Sequence, residues 1–255
     1  MKVAGKRVIV TGGASGIGEA SARRFIEEGA AVAIVDLDER RGTALAEELS
    51  ETGLAIYRRA DVTREAEVRA VVDEIASTFG RIDVLHANAG VARAGTAVEQ
   101  SEAEWDLVYA VNVKAPWLCA KHTIPHLLAG GGGSIVITGS TSGLLGFPGV
   151  IAYTSSKGAV INLTRSLALE HAQQGIRVNC VCPGHIDTPM SRAHFESPDD
   201  PSALEAGFAM LAAQLPVNRM GTAEEVAAFC VFLASDDAGF CTGGIYVCDG
   251  GLTAQ

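Results

Sequence analysis

The chain has 255 residues, 48% of them hydrophobic and 20% charged, which is enough apolar material for a large core and excludes a disordered chain. Thirty acidic residues against 20 basic ones give a formal charge of −10, which argues against a nucleic-acid surface and a polybasic membrane contact. Six scattered cysteines (119, 180, 182, 230, 241 and 248) lack Cys-x-x-Cys spacing, so no disulfide framework or metal site is expected, and the chain reads as cytoplasmic and reduced.

Lys6 to Thr11 (KRVIVT) is a β-branched run expected to form the first strand, with no room before it for a signal peptide. It breaks into GGASGIG and then a helical pattern. Ala31 to Val35 reads as a second strand closed by Asp36, Glu39 to Glu51 as a polar helix, and Leu54 to Arg59 as a third strand ending in Ala60-Asp61-Val62. A helix over Arg64 to Phe79 precedes a fourth strand, Ile82 to His86, closed by Ala87-Asn88-Ala89-Gly90. A long helical region runs from about Glu102 through Leu128, with bends expected at Pro116 and Pro125. Its His122 and His126 have the spacing of a metal pair, but no HExxH glutamate or third ligand joins them, so they read as surface or interface histidines.

Four glycines then precede the strand Ser134 to Thr138. A helix over about Ile151 to Gln174 leads to the strand Ile176 to Cys182, on which Cys180 and Cys182 share one face as small hydrophobes. Thr222 to Ala234 reads as a helix and GGIYVCDGG as the last strand and turn. Strands alternating with helices, the strands almost continuously apolar, imply an α/β fold: a doubly wound parallel sheet in a single domain spanning 1–255. The region from about Met190 to Arg219 departs from that rhythm, with SPDDPS at 197–202 and the amphipathic run LEAGFAMLAAQL at 204–215. A late insertion near the carboxyl ends of strands is a candidate substrate lid; the alternative is a plain surface excursion or subunit contact. The longest apolar stretches, such as Val226 to Ala234, are too short to span a bilayer.

Gly12, Gly16 and Gly18 lie between the first strand and its helix, where backbone can approach a pyrophosphate and the helix N-terminus supplies amide donors. No lysine follows, which excludes a Walker loop. Asp36 closes the second strand, where a carboxylate can accept from a ribose diol and would repel a 2′-phosphate. Ala14 and Ser15 are not basic, and Arg40 and Arg41 read as solvent-facing helix residues, so the balance favours NAD over NADP. Taken alone, Asp36 has a strand-end cap as its lesser alternative reading. Tyr153 and Lys157, four residues apart, fall on one helix face, and an ammonium near a phenol favours the phenolate. Ser140 stands thirteen residues upstream of the tyrosine. Singly, these are a half-buried tyrosine, a snorkelling lysine and a turn serine; Asn112 alone is a turn or cap residue.

Together, TGGASGIG (11–18), Asp61-Val62, Asn88-Ala89-Gly90, Asn112, Ser140, Tyr153-x-x-x-Lys157, Pro183-Gly184, RMGTAEEVA (219–227) and the closing DGG (249–251) resemble the short-chain dehydrogenase/reductases over nearly the full length. The resemblance implies a Rossmann fold binding a nicotinamide dinucleotide, often in a homotetramer (or homodimer) built through the long helices. It places Gly12, Ser15, Gly16, Ile17 and Gly18 at the pyrophosphate loop, Asp61 and Val62 along the adenine, and Asn88, Ala89 and Gly90 by the adenine-side ribose. Pro183, Gly184, Ile186 and Thr188 fall by the nicotinamide. Tyr153 is then the general base, its pKa lowered by Lys157 and by the oxidised nicotinamide. Lys157 also reaches the nicotinamide ribose, Ser140 holds the substrate oxygen, and Asn112 holds a local backbone distortion and a proton-relay water. Ser142, Val150 and His185 are candidate substrate contacts beside Ser140 and Tyr153. The chain departs from the family in having Ala87 where an asparagine is common and Gly139 where a serine is common.

The expected activity is hydride transfer between NAD and a small secondary alcohol or ketone such as a polyol, sugar or cyclic diol. The alternatives are a 3-oxoacyl-thioester reductase, disfavoured by Asp36 and the negative charge, and a non-catalytic NAD-binding sensor, disfavoured by the complete set of four residues.

Overall fold

Seven Val- and Ile-rich runs form one parallel sheet in the computed structural model, which describes residues 1–196 and 200–255. The strands are β1 (Arg7–Thr11), β2 (Ala31–Asp36), β3 (Ala55–Arg59), β4 (Val84–Ala87), β5 (Gly133–Thr138), β6 (Ile176–Pro183) and β7 (Ile245–Cys248), in the spatial order β3-β2-β1-β4-β5-β6-β7. β1 pairs with β2 on one side (Val8 opposite Val32) and with β4 on the other (Val8 opposite Val84), so the chain reverses its winding there. In a doubly wound sheet that reversal opens a crevice at the carboxyl ends of the strands.

The two-residue period of the strands divides the core between two faces. Val8, Val10, Val32 and Ile34 point to the face covered by α1 (Gly16–Glu27), α2 (Glu39–Leu49) and α9 (Ala223–Ala234), where they meet Phe25, Leu45 and Val231. Ile9, Leu85, Ile135 and Val178 point the other way, to Val72, Leu118 and Val160 of α3 (Glu65–Phe79), α5 (Ala115–Ala129) and α6 (Ile151–His171). Burial on both faces is why these strands read as continuous apolar runs.

The long helical region differs in detail from its expectation. Neither proline breaks it. Pro116 sits in the first turn of α5, where no backbone N–H is needed, and Pro125 is carried inside that helix. The irregularity lies at Ala110–Lys114, a π turn that joins α4 (Glu102–Tyr109) to α5. His122 faces Glu65 at 3.3 Å and His126 faces Asp73 at 2.9 Å, and the described residues contain no group of three side chains able to hold a metal. The late insertion supplies α7 (Pro189–Phe195), which no periodicity announced, and α8 (Ala203–Ala212). Of the SPDDPS run, residues 197–199 lie outside the described residues. No helix among the described residues is long and apolar enough to cross a membrane.

Candidate active site

The crevice at the carboxyl ends of the strands is a cavity of about 1160 Å³. Each strand end delivers residues to it. Gly12, Ser15, Gly16 and Ile17 come from the β1–α1 loop, Asp36 from β2, Asp61 and Val62 from the turn after β3, and Asn88, Ala89 and Gly90 from the turn after β4. Ser140 and Ser142 follow β5, with Val150, Tyr153 and Lys157 at the start of α6; Pro183, Gly184, His185, Ile186 and Thr188 follow β6. Two expected residues stand one layer behind. Gly18 does not line the cavity; a Cβ there would strike the Gly12 carbonyl oxygen and lie 2.7 Å from Asn88 Nδ2. Asn112 is buried in the π turn: its Oδ1 accepts from Val91 N–H at 2.9 Å, and its Nδ2 donates to Val91 O at 2.9 Å and Ser156 Oγ at 3.0 Å. It ties the loop after β4 to α6.

At the glycine loop, Gly12 and Gly16 have φ of +62° and +54°, a region that L side chains avoid, so the backbone is laid open toward the cavity. Asp36 is pinned by backbone: Oδ2 accepts from Ala14 N–H at 3.0 Å and Oδ1 from Asp38 N–H at 3.0 Å. Each oxygen keeps acceptor capacity for a ligand hydroxyl. The cradle and the carboxylate fit a dinucleotide.

A polar chain runs through the sheet beneath the site. The Thr138 hydroxyl donates to Asn88 Oδ1 at 3.1 Å, while Asn88 Nδ2 donates to the carbonyls of Gly12 (3.1 Å) and Thr11 (3.3 Å). With its one proton committed, Thr138 can only accept from His86 Nε2, 3.0 Å away, which fixes the His86 tautomer. His86 is fully buried, its Nδ1 has no partner, and burial pushes its pKa down to about 3. Between about pH 6.5 and 3 the unfolded chain therefore takes up a proton that the folded chain refuses, and stability falls as pH falls. Replacing His86 with valine should remove about 1.4 kcal/mol per pH unit from the acid slope in that window. Urea unfolding at pH 4 to 7 measures it; an unchanged slope would exclude this histidine as the source.

The same Thr138 offers its carbonyl to Lys157 Nζ at 2.7 Å. Lys157 is buried, and burial lowers its pKa to about 8. Its ammonium lies 5.7 Å from the centre of the Tyr153 ring. Burial raises the Tyr153 pKa in the free protein, opposed only in part by a hydrogen bond between its hydroxyl and Ser140. Lysine proximity does not make a phenolate on its own, because the ammonium is turned to a carbonyl and the phenol is desolvated. Ser140 caps the next turn, its Oγ accepting from Ser142 N–H at 3.1 Å.

Gly139 has a steric reason. A Cβ at this position would lie 2.6 Å from Cys180 Sγ and 3.0 Å from Cys182 Sγ. Those sulfurs share one face, as expected, 3.8 Å apart. The contact between the two sulfurs holds Cys182 below and Cys180 well above the ordinary thiol range. All six cysteines are free.

The far end of the cavity is closed by α7 and α8, which contribute Met190, His194, Phe195 and Met210, by Gln214 just past α8, and by the 140–153 loop, which contributes Phe147. Phe147 packs edge-on against the His185 ring at 6.3 Å. Arg93 also lines this end, unannounced by any motif. α7 begins where Thr188 and Ser191 cap each other's backbone N–H.

A family model described as enoyl-(acyl carrier protein) reductase matches residues 12–253. The chain is 42% identical over 249 residues to a cis-4-hydroxycyclohexanecarboxylate dehydrogenase from Sinomonas cyclohexanicum, covering 96% of each chain. It is 40% identical over 255 residues to a meso-2,3-butanediol dehydrogenase from Serratia marcescens, covering 100% of this chain and 97% of that one. A crystal structure of a short-chain type dehydrogenase/reductase from Mycobacterium marinum superposes with a TM-score of 0.92 at 32% identity, covering 100% of this chain and 98% of that one. With the seven-stranded sheet and its crevice, these likenesses make the chain a member of the short-chain dehydrogenase/reductase family, an oxidoreductase that acts on CH–OH groups with a nicotinamide cofactor.

Proposed function

We propose that residues 1–255 act as one catalytic unit that interconverts a small secondary alcohol and its ketone using NAD. The carrying observation is that a dinucleotide cradle and the Ser140, Tyr153 and Lys157 cluster open into a single cavity. When bound, the nicotinamide exchanges a hydride with the carbinol carbon. Gly12, Ser15, Gly16, Ile17, Asp61 and Val62 hold the adenosine and pyrophosphate end, with Gly18 shaping the loop from behind. Asn88, Ala89 and Gly90 lie by the adenine-side ribose, and Pro183, Gly184, Ile186 and Thr188 hold the nicotinamide end. Ser140 hydrogen-bonds the substrate oxygen, Tyr153 takes its proton in oxidation and returns it in reduction, and Lys157 hydrogen-bonds the nicotinamide ribose and favours the phenolate by its charge. Asn112 fixes the loop that faces Lys157. Ser142, Val150 and His185 contact the substrate, and α7 with α8 cover it.

Preference for NAD rests on the anchored Asp36 carboxylate and on Leu37, an apolar side chain more than half exposed at the cavity rim, with no basic residue in its place. A ribose 2′-phosphate would meet a fixed negative charge there. Purified protein should generate the NADH absorbance band on a panel of secondary alcohols and diols. Asp36→Ala should lower the NAD-over-NADP ratio of kcat/KM by about tenfold or more, the scale of one lost charge-assisted contact. An unchanged ratio would contradict the ribose-diol role, and NAD binding without turnover on any alcohol would favour a sensor. A cytoplasmic homotetramer fits the six free cysteines and the exposed Leu107 of α4 and Trp117 of α5.

A further inference from the structure

Charge is distributed unevenly along the cavity. Among the described residues only two acidic side chains line it, Asp36 and Asp61, both beyond β2 and β3 at the glycine-loop end. Beyond Ser140 and Tyr153 the lining carries His185 and His194, and Arg93 comes from the segment after β4 whose Gly95 bridges Val150; none of the described carboxylates that line the cavity belongs to these segments. This runs against a chain with 30 acidic and 20 basic residues. Hydroxyl groups both donate and accept, so a site for a neutral polyol gains from carboxylates; a guanidinium, which only donates, suits a group that only accepts.

The backbone that carries Arg93 is held in place, while its side chain is exposed. Its segment is tied on both sides, Val91 N–H donating to Asn112 Oδ1 at 2.9 Å and Gly95 N–H to the Gly149 carbonyl at 2.8 Å. The guanidinium donates to the neighbouring Ala92 carbonyl at 2.8 Å and, among the described residues, has no carboxylate partner. The rest of its donor fork is uncommitted, in the planar geometry that engages an oxoanion through two bonds. Across the cavity, His185 is steadied by the edge of Phe147, and its buried Nε2 has no partner.

Building on the reading of this site as a hydroxy-compound dehydrogenase, we propose that the substrate carries a monoanionic oxoanion, a carboxylate or a sulfonate, beyond its carbinol carbon, and that Arg93 receives it at the mouth of the cavity. The physiological pair is then a hydroxy acid and an oxo acid. The anion lies at the end remote from Asp36, so substrate and dinucleotide diol are recognised by opposite charges at opposite ends of one crevice.

The test compares hydroxy acids with their own neutral amides, on an acyclic and a cyclohexane skeleton, with a hydroxyalkanesulfonate as a third arm, all at saturating NAD. The acid should exceed its amide in kcat/KM by at least about tenfold, the scale of one charge-assisted hydrogen bond, and Arg93→Gln should bring the ratio toward one. Added salt should lower the acid's value more than the amide's. The arm with the larger ratio identifies the oxoanion. Equal turnover of acid and amide by the natural protein, or an equal loss on both in Arg93→Gln, would overturn the proposal. A second readout needs no turnover: cyclohexanecarboxylate and cyclohexanecarboxamide are titrated into the NADH complex, followed by nucleotide fluorescence. Acid-selective binding that depends on Arg93 supports the anion site even where no alcohol is oxidised, a result that would instead refute the dehydrogenase reading. Equal binding of the two overturns the anion site.

Discussion

Tyr153→Phe is expected to lower kcat by about 10²- to 10⁴-fold, the range set by loss of a positioned general acid–base, while the dissociation constant for NADH stays within about twofold. The substitution keeps the ring that half-buries itself beside Lys157 and removes only the oxygen, so cofactor contacts and packing survive. The pH profile separates this from a structural effect. Burial raises the Tyr153 pKa in the free protein, so the basic form that accepts a proton in alcohol oxidation gains population as pH rises. Oxidation should therefore climb with pH, and ketone reduction, which needs the protonated phenol, should fall. Both limbs should vanish in the variant. Retention of more than about a tenth of the natural rate would remove Tyr153 from the chemistry.

Gly18→Ala should do comparable damage by another route. Its Cβ would overlap the Gly12 carbonyl oxygen and crowd Asn88 Nδ2 at 2.7 Å. Neither neighbour can swing away: one is backbone of the glycine loop, and the other is held by its bonds to the carbonyls of Thr11 and Gly12 and to the Thr138 hydroxyl. Relief requires the loop itself to shift, at a cost of about 1–3 kcal/mol in stability. NADH affinity should fall by about 10²-fold because the cradle is displaced as a unit, a change equal to about 2.7 kcal/mol. Urea unfolding and a fluorescence titration measure the two effects. A variant with unchanged affinity would show that the loop can rearrange around the methyl group, or that the dinucleotide does not depend on it.

The sheet was legible because strands buried on both faces must be apolar throughout, and Val8 to Val10 or Val32 to Ile34 leave no other reading. The loops at strand ends were legible because glycine, aspartate and asparagine at those points have few other uses. Other features were hidden for physical reasons. α7 is seven residues long, too short for a periodic stripe, and its cap pairs Thr188 with Ser191 where the recognisable pattern has Glu or Gln. The π turn at Asn112 left no mark on composition, while Pro116 drew attention to a first turn that tolerates proline. His86 falls within an apolar strand, and only the three-dimensional placement of Thr138 and Asn88 makes it informative. The upward shift of Tyr153 depends on desolvation, which no spacing of tyrosine and lysine can report. Arg93 belongs to no motif, and its interest comes from the side chains it faces.

The contact between Gly139 and the sulfurs of Cys180 and Cys182 bears on how this chain can change over time. With both thiols in their present positions, a serine at 139 would crowd the two sulfurs, so that single step requires them to move aside. Trimming Cys180 to alanine first would clear the nearer obstacle, at the cost of a small void beneath Lys157, and the serine could then fill part of it. Positions 139, 180 and 182 are therefore coupled, and the residue at each bears on which neighbouring sequences can be reached next.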